Sequence, residues 1–343
     1  MTEMKALTEL DHLRILSPTA GVRVSSLQLG GMSLGNADGW ADRMGPMDKD
    51  SVFKLLDYYY EAGGNFIDTA NTYQSEQSEQ WIGEWCEARQ NRDSLVLATK
   101  FSMDYRSYAI GMGPHAANFT GNSRRCIHVA VRDSLKKLRT DFIDIYYVNY
   151  WDYTTSIREI MDTLHILVEQ GKILYLGVSD TPAWIVAAAN TYAIENGKTP
   201  FSIYQGRWSL LHRDFERDII PMARHFGMAL APWAVLGGGT FHSQARPSSH
   251  QGPSSTPPIR SRSASIQTED EIKISEALDK VASEHGENVT GTAVALAYFM
   301  SKAANVFPVV GGRLAGHWSD NIKGIHLAVI SVMIFTTSIG TFP

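Results

Sequence analysis

Cysteine is scarce in this chain of 343 residues, with Cys86 and Cys126 the only two. That excludes a disulfide framework as the organising principle and makes a reducing compartment, the cytoplasm, the expected setting. Neither charge dominates: 31 basic and 36 acidic residues leave a net charge of −5. No basic stripe is present to neutralise phosphates, so nucleic acid is not an expected partner. The N-terminus carries Glu3, Glu9 and Asp11 and has no basic start followed by an apolar run, as a signal peptide would. The eleven histidines show no His-Glu-x-x-His spacing, so no catalytic metal is expected. A Gly-x-Gly-x-x-Gly motif opening a helix is also lacking. Gly30-Gly31-Met32-Ser33-Leu34-Gly35 has different spacing, which argues against a Rossmann dinucleotide site. One nearly uncharged apolar run closes the chain, Ile325 to Phe342. Thr336, Thr337, Ser338 and Gly340 dilute it, so a membrane span is not expected.

What the sequence has is a repeated alternation of short β-branched runs with helical patterns. Strands are expected at Leu27–Gly31, Asn65–Asp68, Leu95–Thr99, Ile143–Val148, Ile173–Val178, Phe201–Tyr204, Met228–Pro232 and Val306–Val310. Helices are expected near Lys49–Ala62, Gln77–Arg89, Arg124–Leu138, Ile157–Gln170, Pro182–Glu195, Phe215–Phe226, Glu269–His285 and Gly291–Lys302. Ser75 and Ser78 read as N-caps of the second helix, and Thr181-Pro182 as the opening of the fifth. Gly63, Gly171, Gly197, Gly227 and Gly286 stand where left-handed C-caps are needed. Strands separated by helices pair in parallel, and eight such units predict a closed (β/α)8 barrel, an α/β fold in one domain. Leu13–Ile15 and Val22–Ser25, split by Pro18 and Gly21, predict a hairpin plugging the barrel bottom. The barrel is expected over residues 12–327, with a flexible Ser/Pro/Arg-rich insertion at 242–267 and an atypical apolar tail at 328–343.

Barrel chemistry sits where strands end. The second strand ends in Asp68-Thr69-Ala70-Asn71-Thr72-Tyr73, the third in Lys100 and the fourth in Asn149. An ammonium beside a phenol favours the phenolate, so Lys100 is expected to lower the pKa of Tyr73, with Asp68 as the ion-pair partner keeping Lys100 charged.

These residues, with Gly177-Val178-Ser179-Asp180, Tyr204-Gln205-Gly206 and Gly311-Gly312-Arg313, resemble the aldo-keto reductases. Trp151-Asp152-Tyr153-Thr154-Thr155-Ser156 and the run from Leu176 to Trp184 resemble their fungal aryl-alcohol dehydrogenase and norsolorinic acid reductase branch. The resemblance implies NADPH/NADP+ as cofactor, and Asp68, Tyr73 and Lys100 as three of four catalytic residues, with Tyr73 the proton donor. The fourth is ordinarily a histidine, and here the position is Asn149. An amide can orient a substrate oxygen but cannot titrate.

The resemblance also implies that Asp68, Ser179, Asp180 and Gln205 hold the nicotinamide end and that Trp233 stacks on its ring. Ala234, Val235, Leu236, Gly237, Gly238 and Gly239 would meet the pyrophosphate, and Gly311, Gly312, Arg313, His317 and Asn321 the adenosine end. A guanidinium at Arg313 suits the 2′-phosphate of NADP. Trp40, Tyr105, Asn149, Tyr150 and Trp151 are the candidate contacts to a flat aromatic carbonyl or alcohol. The expected activity is reversible reduction of aromatic aldehydes and ketones in fungal secondary metabolism. The alternative is an NADPH-binding, cofactor-sensing protein of low turnover.

Overall fold

The computed structural model describes residues 8–40, 44–241, 267–286, 289–313, 318–319, 321–322 and 324–325. His317, nearly all of the 242–267 insertion and the 328–343 tail lie outside the described residues.

A hairpin of β1 (Arg14–Ser17) and β2 (Ala20–Val24) precedes eight parallel strands: β3 (Gln28–Gly30), β4 (Phe66–Asp68), β5 (Val96–Phe101), β6 (Ile143–Val148), β7 (Ile173–Ser179), β8 (Phe201–Arg207), β9 (Ala229–Trp233) and β10 (Val309–Val310). Their order is β10-β3-β4-β5-β6-β7-β8-β9, and a bridge between Leu230 and Val306 joins the ends of the row. Two bonds carry it, Leu230 N–H to the Asn305 carbonyl at 2.9 Å and Phe307 N–H to the Leu230 carbonyl at 2.8 Å. The fold is the expected (β/α)8 barrel with its N-terminal hairpin.

Strands β5 and β6 are buried at every residue, because one face fills the barrel and the other meets helices. Alternation along the middle of the strands separates the two faces, with the first residues of β6 and β8, Ile143 and Phe201, packing under the helices instead. Phe66, Val96, Ala98, Ile145, Tyr147, Ile203, Ala229 and Ala231 form one cluster with Leu16, Ala20 and Val24 of the hairpin, which therefore plugs the barrel interior. Ile67, Leu97, Tyr146, Val148 and Leu176 belong to the other cluster, under the helices.

Besides a single turn at Ser107–Ile110, the helices of the described residues are α1 (Lys49–Glu61), α2 (Gln77–Arg89), α3 (Arg124–Leu138), α4 (Ile157–Glu169), α5 (Ala183–Glu195), α6 (Ile219–His225), α7 (Glu269–Glu284) and α8 (Gly291–Lys302). Side-chain caps start several of them: Asp48, Ser123, Ser156, Thr268 and Thr290 each accept an N–H of the first turn. The five glycines expected at helix ends all have positive φ, between +62° and +117°.

Three local expectations are corrected. Ser75 and Ser78 do not cap α2: its cap position is Glu76, and the Ser78 hydroxyl donates to the Gly31 carbonyl instead. Thr181 does not cap α5. Its hydroxyl donates to the Ser179 carbonyl, and Pro182 takes the cap position. The helix expected from Phe215 begins only at Ile219, because Phe215 stacks on Trp208 at 5.2 Å and Pro221 tolerates only a first-turn place.

Candidate active site

Alternation decides which strand-end residues meet. Asp68 continues the inward row after Phe66, Lys100 after Val96 and Ala98, Asn149 after Ile145 and Tyr147, Gln205 after Ile203, and Trp233 after Ala229 and Ala231. Asp68, Lys100 and Gln205 are buried, and their polar atoms converge at the C-terminal end of the barrel.

Lys100 Nζ donates to Asp68 Oδ2 at 2.6 Å, to the Thr69 carbonyl at 2.8 Å and to the Tyr73 hydroxyl at 3.3 Å. The second carboxylate oxygen, Asp68 Oδ1, accepts from Gln205 Nε2 at 2.8 Å. The ammonium also lies over the Tyr73 ring at 4.9 Å and the Tyr147 ring at 5.8 Å. Tyr147 has that room because position 177 is glycine: a Cβ there would stand 2.4 Å from the Tyr147 ring.

Burial alone would lower the Lys100 pKa, but the Asp68 carboxylate and the Tyr73 hydroxyl together outweigh it and the value rises, so Lys100 stays charged. The expectation for Tyr73 is corrected. Burial raises its phenol above the ordinary value, and Lys100 opposes that rise without cancelling it. At neutral pH the phenol holds its proton, hydrogen-bonded to an ammonium.

Tyr73 sits on a turn in which Gln74, Ser75 and Glu76 have φ of +54°, +50° and +75°. Non-glycine residues held in this region cost roughly 1–3 kcal/mol each and persist only where neighbours over-determine them. The Gln74 side chain donates to the Met32 carbonyl at 2.9 Å, and Glu76 is buried in ion pairs with Arg106 and Lys137. Trp40 meets the Tyr73 ring edge-on, centroids 6.2 Å apart.

The Asn149 backbone N–H bonds the Phe101 carbonyl at 3.1 Å, and its residue is half-buried beside the trio's strand ends. Ser179 is buried, and its hydroxyl donates to Asp180 Oδ2 at 3.3 Å. Trp233 Nε1–H reaches Asp180 Oδ1, also at 3.3 Å. Trp233 is half-buried, and the Arg207 guanidinium lies over its ring, 5.9 Å from the centroid.

After Trp233, Ala234 has φ +59° and Gly237, Gly238 and Gly239 have φ of +64°, +69° and +92°. Val235 is buried and Leu236 half-buried beneath this loop, while Gly238 and Gly239 are exposed. Gly237 N–H bonds the Ala234 carbonyl at 2.8 Å and Gly239 N–H the Leu236 carbonyl at 3.0 Å, which folds the loop tightly and leaves its exposed glycine backbone open to close approach.

Gly311 and Arg313 are exposed, Gly312 is half-buried and Asn321 is buried. Arg313 lies against Gly45, where a Cβ would collide with its guanidinium.

The substrate candidates divide. Trp40, Asn149 and Tyr150 are half-buried near Tyr73 and the strand ends. Tyr105 is turned away: it is 2% exposed, packs on Phe119 and donates its hydroxyl to Asp133 at 2.9 Å. Trp151, at 7% exposed, belongs to the layer under the helices. Sequence reading missed the Thr69 carbonyl, Tyr147 with Gly177, and Glu76. The first has no side-chain signal. Tyr147 was visible only as the inward residue before Asn149.

No group of histidine, cysteine or carboxylate side chains able to hold a metal ion occurs among the described residues, and no helix among them is long and apolar enough to cross a membrane.

The model of the aldo/keto reductase family matches residues 26–335. A Saccharomyces cerevisiae protein named as an aryl-alcohol dehydrogenase is 59% identical over 322 residues, 93% of this chain and 84% of the relative. The aryl-alcohol dehydrogenase [NADP(+)] of Phanerodontia chrysosporium is 51% identical over 328 residues, 94% of this chain and 84% of that protein. Norsolorinic acid reductase A of Aspergillus parasiticus is 49% identical over 324 residues, 94% of this chain and 79% of that protein. A barrel with this strand-end chemistry, matched over nearly its whole length, belongs to the aldo/keto reductase family and is an oxidoreductase.

Proposed function

We propose that the protein reduces aromatic aldehydes and ketones with NADPH, and oxidises the corresponding aryl alcohols in reverse, with Tyr73 as the proton donor. The observation that carries this reading is the contact of Lys100 with both Asp68 and Tyr73 at adjoining strand ends.

The cofactor supplies the hydride. The residues fit it: the half-buried Trp233 ring offers a stacking surface, Ser179, Asp180 and Gln205 bring donors and acceptors, and the Ala234–Gly239 loop exposes Gly238 and Gly239, where no Cβ would keep a phosphate from the backbone. Gln205 has committed its amide donor to Asp68, which leaves its carbonyl oxygen for the nicotinamide amide. Asp68 thus takes part in the cofactor end through Gln205. Gly311, Gly312, Arg313 and Asn321 are the residues for the adenosine end, with Arg313 pairing with the 2′-phosphate. His317, outside the described residues, is proposed with them.

In the chemical step, Tyr73 donates its proton to the oxygen as charge develops there. Lys100 stabilises the resulting phenolate, and Asp68 keeps Lys100 charged and aimed. A phenol raised by burial holds its proton until that moment. Asn149 is the further donor to the substrate oxygen, orienting it without titrating. Trp40 and Tyr150 form the aromatic walls of the substrate site. The names of the relatives support aryl alcohols and related carbonyl compounds as substrates, fungal secondary metabolism is the setting proposed with them, and the two free, buried cysteines support the cytoplasm.

The test is NADPH oxidation followed at 340 nm with a panel of aromatic aldehydes and ketones, alongside NADPH binding by fluorescence quenching. Tyr73→Phe is expected to lose about 10²–10⁴-fold in turnover while still binding NADPH. Asn149 favours a second reading, a cofactor-sensing protein of low turnover. Wild-type binding with no turnover across the panel would establish that reading in place of the first.

A further inference from the structure

We propose that Glu76 is a positioning residue for Tyr73, and that it acts by bolting the turn that carries the phenol to the segment following β5. The inference rests on the reading of Tyr73 as proton donor.

Glu76 occupies the N-cap position of α2, where a short polar side chain would normally accept the helix's own N–H groups. It makes no such bond. Its carboxylate turns instead to donors from other segments. Oε1 accepts from Lys137 Nζ at 2.9 Å, and Oε2 accepts from Arg106 at 3.0 Å and from the Tyr108 hydroxyl at 2.6 Å. The Glu76 side chain is 3% exposed and Lys137 9%, so that pair is shielded from water, while Arg106 and Tyr108 reach the carboxylate from the surface.

The same two segments are joined a second time on the other side of the phenol. Thr72 Oγ1 donates to the Asp104 carbonyl at 3.2 Å, and the Asp104 carboxylate in turn accepts the Arg106 and Ser107 N–H groups at 2.9 Å each. Tyr73 is therefore bracketed, with Thr72 tied to Asp104 before it and Glu76 tied to Arg106 and Tyr108 after it. Between the brackets run the left-handed residues Gln74, Ser75 and Glu76, a backbone form that relaxes once the contacts enforcing it are removed.

The phenol's alignment with Lys100, at 3.3 Å, depends on this turn, whereas Trp233, the 237–239 loop and Arg313 are carried by other strands. Loosening Glu76 is thus expected to slow proton donation while leaving cofactor binding in place. A merely structural ion pair would weaken both together or neither.

The experiment compares wild type with Glu76→Gln, Arg106→Met and Tyr73→Phe. Arg139→Met serves as the control, since it removes exposed ion pairs to Glu84 and Glu87 away from the turn. Each protein is assayed for the single-turnover rate of NADPH oxidation with saturating 4-nitrobenzaldehyde, the solvent deuterium isotope effect on that rate, and the Kd for NADPH. Glu76→Gln and Arg106→Met are expected to slow the single turnover by about tenfold or more and to enlarge the isotope effect. Their Kd should stay within about twofold, and Arg139→Met should match wild type.

Rates within twofold of wild type in both variants would overturn the proposal, as would a loss of rate matched by an equal loss of NADPH affinity. Should Glu76→Gln fail to fold, Arg106→Met decides alone, because Arg106 is 37% exposed and its removal buries no new void. A Tyr73→Phe protein as fast as wild type would remove the proton-donor reading and this inference with it. Inactive Tyr73→Phe beside unaffected Glu76 and Arg106 variants would remove this inference alone.

Discussion

Among the described residues two lysines are buried against carboxylates, and of these Lys100 stands at the strand ends. Lys100 is 1% exposed and has one carboxylate partner, Asp68. Lys137, on α3, is 9% exposed and has two, Glu76 at 2.9 Å and Glu79 at 2.6 Å. In both, burial acts to lower the pKa, the bonded partners together outweigh it (Asp68 and Tyr73 for Lys100, Glu79 and Glu76 for Lys137), and the net shift is upward. The difference lies in what is left over. Lys100 has an ammonium proton directed at Tyr73 near the barrel mouth, whereas Lys137 faces two carboxylates between helices. A buried ion pair by itself marks structure. It marks chemistry when one partner keeps a bond free for a group that can react.

The largest effect should come from setting the two lysines against each other. Lys100→Met is expected to lower kcat by about 10²–10⁴-fold, because the phenolate formed on proton donation loses its counter-charge. Lys137→Met leaves Glu79 buried and unpaired, and is expected to cost about 3–5 kcal/mol of stability. The molecules that remain folded should lose at most about tenfold in turnover. Urea denaturation and kcat on one aromatic aldehyde measure both, and equal losses of turnover in the two variants would break the distinction.

A smaller change is expected from Asn149→His, which places a titratable ring beside the Lys100 pair where none now exists. It should alter kcat by up to about tenfold and add a pH dependence near 6.5. An unchanged rate and a flat profile would remove Asn149 from the site.

The smallest effect concerns a buried ionisable group with no opposite charge bonded to it. Burial pushes the Cys86 thiol up to about 12, against a weak opposing pull from Arg92. Below that pH the group is a neutral thiol, so iodoacetamide at pH 8 should leave Cys86 unmodified in the native protein, as read by peptide mapping. Ready alkylation would contradict the rule that burial without a partner abolishes charge here.

Much of this could be read before any coordinates. Strand Ile143–Val148 and helices Gln77–Arg89, Arg124–Leu138 and Gly291–Lys302 fall where periodicity and glycine punctuation put them. Asp68 and Lys100 were legible because they stand at the ends of adjoining strands, and Tyr73 because it closes the same strand-end run as Asp68. What was illegible depended on contacts across the chain. Ser75 and Ser78 look like caps until the Ser78 hydroxyl is seen on Gly31, a residue 47 positions away. Tyr105 looks like a pocket aromatic until its hydroxyl is seen on Asp133. Nothing local distinguishes Glu76 from an exposed helix-start acid.

By itself, then, the sequence determined the number and order of strand–helix units, and through them a parallel barrel with an aspartate, a tyrosine and a lysine at adjoining strand ends. Those follow from local periodicity and from the need of each parallel strand for a crossover helix. Only the tertiary structure decided that Lys100 reaches both Asp68 and Tyr73, that the phenol's pKa is raised, and which of two buried lysines stands at the mouth. Each of these depends on burial and on partners tens of residues away, and a pattern read along one strand carries neither.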